Sequence, residues 1–147
     1  MAANSPHIAF RQRRNASTWT LVDDVTEAAE MSARYCRWPS GIPKRDAARI
    51  MHGYAAAQRY VAEDGTQYIR APWVTMEHGR ADCKSTAVLI AAMCKAAGRR
   101  VQLKFLQYDE GITHWAHVFA VVDGVPVDPL LPFGEEFPYL RHHIRTL

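Results

Sequence analysis

The sequence lacks the features of secreted proteins and of membrane proteins. Its cysteines are Cys36, Cys83 and Cys94, and an odd number in a chain of 147 residues is not typical of a disulfide framework. The N-terminal residues contain no continuous apolar segment like the core of a secretory signal. No run approaches the ~18 apolar residues that a membrane-spanning helix needs. We therefore expect a protein of a reducing compartment, the cytoplasm, with no membrane partner.

Strong charge of one sign is also missing. The formal net charge is +3, and 22% of the residues are charged while 48% are hydrophobic, which is typical of a soluble globular protein. The basic residues are scattered and no known motif for reading nucleic acid occurs, so specific nucleic-acid binding is the least favoured hypothesis. A chain of this length is expected to form one domain and can bury a core.

The sequence pattern divides the chain into an arm and one domain. Residues 1–16 are polar and basic, and we predict a flexible arm there, followed by a single domain over 17–147. Alternating residues predict a short strand over 18–22, and Asp24 is the predicted cap of the first helix. A second helix is predicted to begin at Pro43. Both helices are interpreted as packing elements.

The segment from Gly79 to Ala87 organises the rest of the chain, because it places a cysteine at a predicted helix start. Asp82 suits the N-cap position, and an Ala-rich helical pattern runs from Cys83 to a stop at Gly98. At a helix start the unpaired N–H groups and the helix dipole stabilise a thiolate, and a backbone N–H can donate to an oxyanion. These features make Cys83 a candidate nucleophile.

The alternative for each cysteine is a small buried residue, which is the usual role of a free cysteine. Cys36 and Cys94 lie in apolar helical stripes and are assigned to that role. For Cys83, the strands that follow in the sequence favour the catalytic interpretation.

Two apolar strands and a hairpin follow the cysteine helix. Strands are predicted over 101–107 and 116–122, and Asp123-Gly124 is a strong signal for a two-residue loop into a returning strand over 125–128. The second strand is apolar on both sides and is predicted to be central. The pattern predicts an α+β fold in which the Cys83 helix packs on a small antiparallel sheet and is preceded by two helices.

The hairpin register brings a histidine and an aspartate together. A two-residue loop pairs Val122 with Val125, which places His117 and Asp128 on one face of the sheet as diagonal neighbours. An aspartate in that position can accept the imidazole N–H and fix the tautomer, leaving the other nitrogen for the Cys83 thiol.

His114 offers a second histidine near this predicted site. In a continuous strand it would face away from His117, so it is assigned to the end of the preceding loop. A metal site formed by His114, His117 and Cys83 is the alternative, but it lacks a fourth ligand at recognisable spacing and a Glu beside the histidines. We therefore predict no metal and no cofactor.

Three blocks of this sequence resemble the transglutaminase-like superfamily of papain-like cysteine enzymes. They are Gly79-x-x-Asp82-Cys83 at the start of an Ala-rich helix, His117-x-Phe119 in a strand, and Val127-Asp128-Pro129. The blocks occur in the family's order and cover about residues 66–133. The form with Gln67-Tyr68-Ile69-Arg70-x-Pro72 ahead of Asp82-Cys83-Lys84-Ser85 is similar to small members encoded by phages and prophages.

The resemblance implies a papain-like or transglutaminase-like core, with Cys83 as nucleophile, His117 as base and then acid, and Asp128 as the residue that orients the histidine. The sequence departs from the family in the short distance between His117 and Asp128, and in Phe119, where many members have Trp. It also lacks the acidic cluster of the calcium-dependent animal enzymes, so we predict no calcium.

The sequence leaves two functions open. The first is an enzyme that transfers an acyl group through a thioester on Cys83, as a peptidase, an amidase or deamidase, or a transglutaminase, acting on a protein or peptide. The second is a phage virion or assembly protein that docks on other phage proteins without essential catalysis. The protein would accordingly lie in the host cytoplasm or in the virion. The complete set of triad residues favours the enzyme. A second oxyanion donor is not identified, and Trp73 and Trp115 are candidates.

Overall fold

The α+β class predicted from the sequence is confirmed in the computed structural model. The structure describes residues 10–11, 18–61, 68–108, 110 and 115–147. Its helices are α1 (Thr18–Ala33), a short 3-10 helix (Lys44–Asp46), α2 (Ala47–Ala56), α3 (Pro72–His78) and α4 (Cys83–Ala96). Its strands are β1 (Phe10–Arg11), β2 (Arg59–Tyr60), β3 (Tyr68–Ile69), β4 (Arg80–Ala81), β5 (Val101–Gln107), β6 (His117–Val122), β7 (Val125–Val127) and β8 (Arg141–Thr146). Within these ranges, no helix has the length and apolar character needed to cross a membrane.

Four strands form the central sheet, which is antiparallel throughout and has the order β7-β6-β5-β8. Two short ribbons account for the other strands. β1 pairs antiparallel with β3, and β2 pairs parallel with β4. β1 belongs to the segment predicted as a flexible arm, and its residues 10–11 are paired with β3. The remainder of residues 1–16 lies outside the described residues. The β2–β4 ribbon leads directly into α4.

The main core lies between α4 and one face of the central sheet. Small residues such as Ala87, Ala91 and Cys94 allow close packing of α4, while α1 and α2 cover other sides of the helix. Leu89 and Ile90 are fully buried, and burial of such side chains contributes roughly 1.5–3 kcal/mol each. The position of the helix start, and therefore of Cys83, is set by the packing of the whole core.

The segment between β7 and β8 covers the second face of the sheet. Its apolar contact is a cluster of Leu106, Phe119, Val121 and Phe137. Beside this cluster Lys104 donates a hydrogen bond of 2.8 Å to the carboxylate of Glu136, and its Nζ lies 4.4 Å from the centre of the Tyr139 ring. Lys104 is 9% exposed, so this ion pair satisfies a charge that would otherwise be buried alone.

The predicted strand over 18–22 is wrong, because these residues form the first turns of α1. Asp24 therefore lies inside the helix and is not its cap. The alternation over five residues is part of a longer helical stripe, in which Val22, Val25 and Ala29 are fully buried. The stripe prevails because it buries apolar surface against α4 along the whole helix.

Among the described residues three α-helices precede α4, whereas the sequence predicted two. The additional helix is α3, and Pro72 occupies its first turn. Proline suits an extended segment and the first position of a helix equally well, so local pattern does not decide between them. Gly79 ends α3 with φ of 66°, a left-handed conformation that glycine adopts without steric cost.

Candidate active site

Cys83 is the first residue of α4, as the sequence predicted. Asp82 caps this helix, since its Oδ1 accepts a hydrogen bond of 2.9 Å from the Ser85 N–H. The other carboxylate oxygen of Asp82 forms an ion pair with Lys84. In the first turn, helix geometry leaves the N–H groups of Cys83 and Lys84 without an intrahelical partner. These groups are candidate donors to an oxyanion formed at the thiol.

The helix start is also anchored to the chain that precedes α3. Ser85 is fully buried, and its hydroxyl accepts a hydrogen bond of 2.9 Å from the Arg70 N–H. Arg70 directly follows β3, so this bond joins the β1–β3 ribbon to the first turn of α4. The cap and the Ser85 contact together fix the backbone that carries Cys83.

The three cysteines are free thiols in different environments. Burial raises the pKa of Cys36 to about 11, and burial is also the main cause that raises the pKa of Cys94 to about 12. Both thiols therefore stay protonated near neutral pH and are poor nucleophiles. Cys83 is partly exposed, as Cys36 is, but unlike Cys36 and Cys94 it borders a cavity that also contacts His117.

His117 and Asp128 are brought together by the predicted hairpin. Its paired residues are Val122–Val125, Val121–Pro126 and Ala120–Val127. Asp123 and Gly124 form the loop with φ angles of 50° and 81°, as a type I′ turn requires. His117 Nε2 lies 2.6 Å from Asp128 Oδ2, and both side chains are buried. The register predicted from the Asp-Gly loop is confirmed.

The imidazole of His117 connects this carboxylate to the thiol. Burial alone would lower the pKa of His117, but the hydrogen bonds to Asp128 and Cys83 and the negative charges of those groups raise the pKa to about 9. With a pKa of about 9, the ring is an imidazolium at neutral pH. Because Nε2 is engaged by Asp128, Nδ1 is the nitrogen left for Cys83. Phe119 and Phe137 pack around it, with ring centres 5.9 and 5.7 Å from the imidazole.

A turn after β7 holds Asp128 in place. Its Oδ1 accepts a hydrogen bond of 3.1 Å from the Leu130 N–H, which leaves Oδ2 for the histidine. His52 of α2 donates from Nε2 to the Leu131 carbonyl at 2.7 Å, and the Asp128 carbonyl lies 3.2 Å from the same nitrogen. The sequence pattern did not indicate His52, because its hydrogen-bond partners lie more than 70 residues away in the chain.

An open cavity of about 120 Å³ adjoins the thiol and the imidazole. It is lined by Leu21, Cys83, Lys84, Phe105, Trp115, Ala116, His117 and Val118. The indole Nε1 of Trp115 is buried and has no hydrogen-bond partner within the described part of the chain. The cavity gives a small acyl or amine group access to the thiol.

Two tyrosines that the sequence did not single out lie near the site. Burial is the main cause that raises the pKa of Tyr60 and of Tyr108 to about 12, and the negative charges of Cys83 and Asp128 add to the effect. Both side chains remain more than a third exposed. Because their pKa values are this high, both hydroxyl groups are neutral at neutral pH and able to donate hydrogen bonds.

The structure thus brings together Cys83, His117 and Asp128, the three residues predicted from the sequence. His114 lies outside the described residues, so its predicted position in the loop has no structural counterpart here. Over the ranges that the structure describes, no group of three or more His, Cys, Asp and Glu side chains is arranged to hold a metal ion.

Comparison with known proteins identifies no relative of this chain. The chain matches no family model, no curated protein and no solved structure. A function is therefore inferred from the arrangement of the chain's own residues.

Proposed function

We propose that this protein is a cysteine-nucleophile acyl-transfer enzyme that cleaves an amide through a thioester on Cys83. The observation that carries the proposal is the buried His117–Asp128 pair, with 2.6 Å between Nε2 and Oδ2, beside a cavity that His117 shares with Cys83 at a helix start. A buried carboxylate oriented towards a histidine, and a histidine oriented towards an accessible thiol, is the arrangement that nucleophilic catalysis requires. A buried cysteine of ordinary core packing would need neither partner.

The reaction follows from the charges in the site. The imidazolium of His117 and the positive end of α4 stabilise a thiolate on Cys83. The thiolate attacks the amide carbonyl carbon, and the resulting oxyanion accepts hydrogen bonds from the N–H groups of Cys83 and Lys84. When the carbon–nitrogen bond breaks, His117 gives its Nδ1 proton to the departing amine, and a thioester remains on Cys83.

The second half of the reaction restores the thiol. A water molecule attacks the thioester carbonyl while His117 removes its proton, which releases a carboxylic acid and the Cys83 thiolate. An amine in place of water gives a new amide by the same route. Asp128 keeps its charge throughout, holding Nε2–H and stabilising the imidazolium.

A papain-like or transglutaminase-like core is part of this proposal. It is supported by the order of the three elements that carry the triad, a helix start, a strand and the end of a hairpin. We further propose a protein or peptide substrate and a cytoplasmic location, where the three free thiols would stay reduced. The docking role in a phage particle gives no reason for the buried His117–Asp128 pair, so we favour the enzyme.

The proposal is tested by measuring alkylation of the native protein by iodoacetamide at pH 7, with each cysteine followed by peptide mass spectrometry. We expect Cys83 to react at least about 10-fold faster than a free thiol of pKa ~8.5. Cys36 and Cys94 are internal controls and should react far more slowly than Cys83, because burial raises the pKa of both thiols. His117→Ala should remove the enhanced reactivity of Cys83. An ordinary rate at Cys83 that this substitution leaves unchanged would overturn the proposal.

A further inference from the structure

A second cavity, of about 90 Å³, borders the start of α4 close to the triad. Its lining includes Ala81 and Thr86, which lie on either side of Cys83 in sequence, and Leu130, whose N–H is bound by Asp128. Gln58 and Tyr60 form part of the same lining. The cavity thus borders chain segments that flank Cys83 and Asp128 in the sequence, although neither of these residues lines it.

Gln58 presents an amide that the fold does not use. Its Nε2 and Oε1 are both buried, and neither has a hydrogen-bond partner among the described residues. A buried polar group without a partner costs about 1–3 kcal/mol, and such groups are rare in folded proteins. Because the donor nitrogen and the acceptor oxygen of the same amide are both unmatched, the missing partner must itself offer an acceptor and a donor.

Tyr60 adds a free strand edge beside Gln58. In the β2–β4 ribbon the N–H of Arg59 donates to the Gly79 carbonyl and the N–H of Val61 donates to the Ala81 carbonyl, each at 3.0 Å. Backbone groups alternate along a strand, so the N–H and C=O of Tyr60 point away from β4. No strand in the described part of the chain pairs with this edge.

This edge lies within reach of the nucleophile. Tyr60 is paired with Ala81, which is two residues from Cys83, a span of roughly 7 Å of chain. A peptide on the free edge would lie one strand spacing of ~4.8 Å beyond Tyr60, so its reacting amide would reach the thiol a few residues away from the contact.

We propose that the Tyr60 edge and the Gln58 amide form a subsite that holds the main chain of an extended peptide substrate next to Cys83. The inference rests on the proposed function, and it names the substrate class. An extended peptide offers the N–H and C=O of alternate residues on one side, which match the free groups of Tyr60 and the unmatched amide of Gln58. A small amide cannot fill both sets of groups at once.

The test uses Gln58→Met, which keeps the length of the side chain and removes both polar atoms. Two probes alkylate Cys83 at pH 7: iodoacetamide, which has no peptide chain, and acetyl-Ala-Ala-Ala chloromethyl ketone, which has an extended one. We expect the variant to react about 10-fold more slowly with the peptide reagent, as the loss of one or two hydrogen bonds predicts. Its rate with iodoacetamide should be unchanged.

N-methylation of the reagent removes the same hydrogen bonds from the other side. Methylating the internal peptide nitrogens in turn should identify one that slows the wild-type reaction about 10-fold and has little further effect in Gln58→Met. The melting temperature of the variant should be unchanged or higher, because an unmatched buried amide is removed. Equal slowing with both reagents, a lower melting temperature, or no slowing with either would overturn the subsite.

A binding measurement keeps the subsite separable from the chemistry. In Cys83→Ala, the side-chain NH₂ resonances of Gln58 should shift when acetyl-Ala-Ala-Ala-amide is added, and the fully N-methylated peptide should leave them in place. If Cys83 proves to be an ordinary thiol while these resonances still shift, the proposed function fails and the peptide subsite stands. If Cys83 is activated and the resonances do not respond, the subsite is wrong and the nucleophile stands.

Discussion

At the scale of single residues, the site depends on one buried charge network. Asp128 is fully buried, and its two oxygens are satisfied by the Leu130 N–H and by His117 Nε2. A buried carboxylate without such partners would be strongly destabilising. The same pairing makes His117 positive at neutral pH, so the network that stabilises the fold also prepares the histidine to donate a proton.

The raised pKa of His117 makes stability depend on pH. The pKa is about 9 in the folded protein and near 6.5 in the unfolded chain, so the folded state binds the proton more tightly. This contribution is complete below pH 6.5 and is lost as pH rises towards 9; its size is roughly 3 kcal/mol. We expect urea unfolding to give a lower free energy of unfolding at pH 9 than at pH 6.

Asp128→Asn is the matched variant for this prediction. Asparagine has the same shape but lacks the charge that raises the histidine pKa, so the difference in stability between pH 6 and pH 9 should shrink by most of that amount. Titration of other groups is common to both proteins and cancels in the comparison. An unchanged pH dependence in the variant would show that the pair does not set the pKa of His117.

At the scale of elements, α4 is the part that places the proposed nucleophile, Cys83. Its start is fixed by the Asp82 cap and the Ser85 contact, and its end by Gly98, which adopts φ of 76°. Because the interior of the helix is surrounded by packing partners, the first turn is the part where a polar group such as the Cys83 thiol can meet solvent and other chain segments. The position of Cys83 is thus a consequence of how this helix is capped and buried.

Substitution of Asp82 separates the cap from the ion pair with Lys84. Asp82→Ala removes both and should lower the free energy of unfolding by about 1 kcal/mol or somewhat more, the usual cost of losing an N-cap. Asp82→Asn keeps an acceptor for the Ser85 N–H, so its loss should be clearly smaller. Urea unfolding of the three proteins gives the comparison. Equal losses in the two variants would assign the effect to the ion pair.

At the scale of the whole molecule, the segment after Asp128 completes the fold. It crosses the second face of the sheet, where Phe137 contacts the imidazole of His117, and returns as β8 at the edge of β5. The triad is therefore enclosed between two layers, the helices on one face and this segment on the other. Removal of a contact in the second layer should expose the histidine without touching the thiol.

Phe137→Ala tests this enclosure, with Tyr139→Ala as its control in the same segment. Phe137 is half-buried, so its loss should cost about 2 kcal/mol in the free energy of unfolding, below the range for fully buried Phe. The Nε2 proton of His117 should exchange with solvent much faster in Phe137→Ala, as measured by NMR. Tyr139 contacts Lys104, so its loss should leave that exchange unchanged. Equal exchange in the two variants would mean that Phe137 does not shield the histidine.

Part of this fold could be predicted and part could not. The helix from Cys83, the two strands after it and the Asp123-Gly124 hairpin follow from local pattern, because capping, periodicity and turn chemistry act within a few residues. β8 does not, since Arg141 to Thr146 has little apolar alternation and is mostly exposed. It is a strand because the edge of β5 offers unpaired backbone groups, a long-range cause that pattern analysis does not include.

The sequence by itself determined the candidate triad residues, since a helix start, a strand residue and a two-residue loop fix Cys83, His117 and Asp128 relative to their own elements. Only the tertiary structure decided that the three meet, because α4 and the hairpin are joined through the packing of the common core. The tertiary structure also decided the roles of His52 and Gln58. The contacts of His52 are distant in sequence, and the unmatched amide of Gln58 becomes visible only when the surroundings are folded.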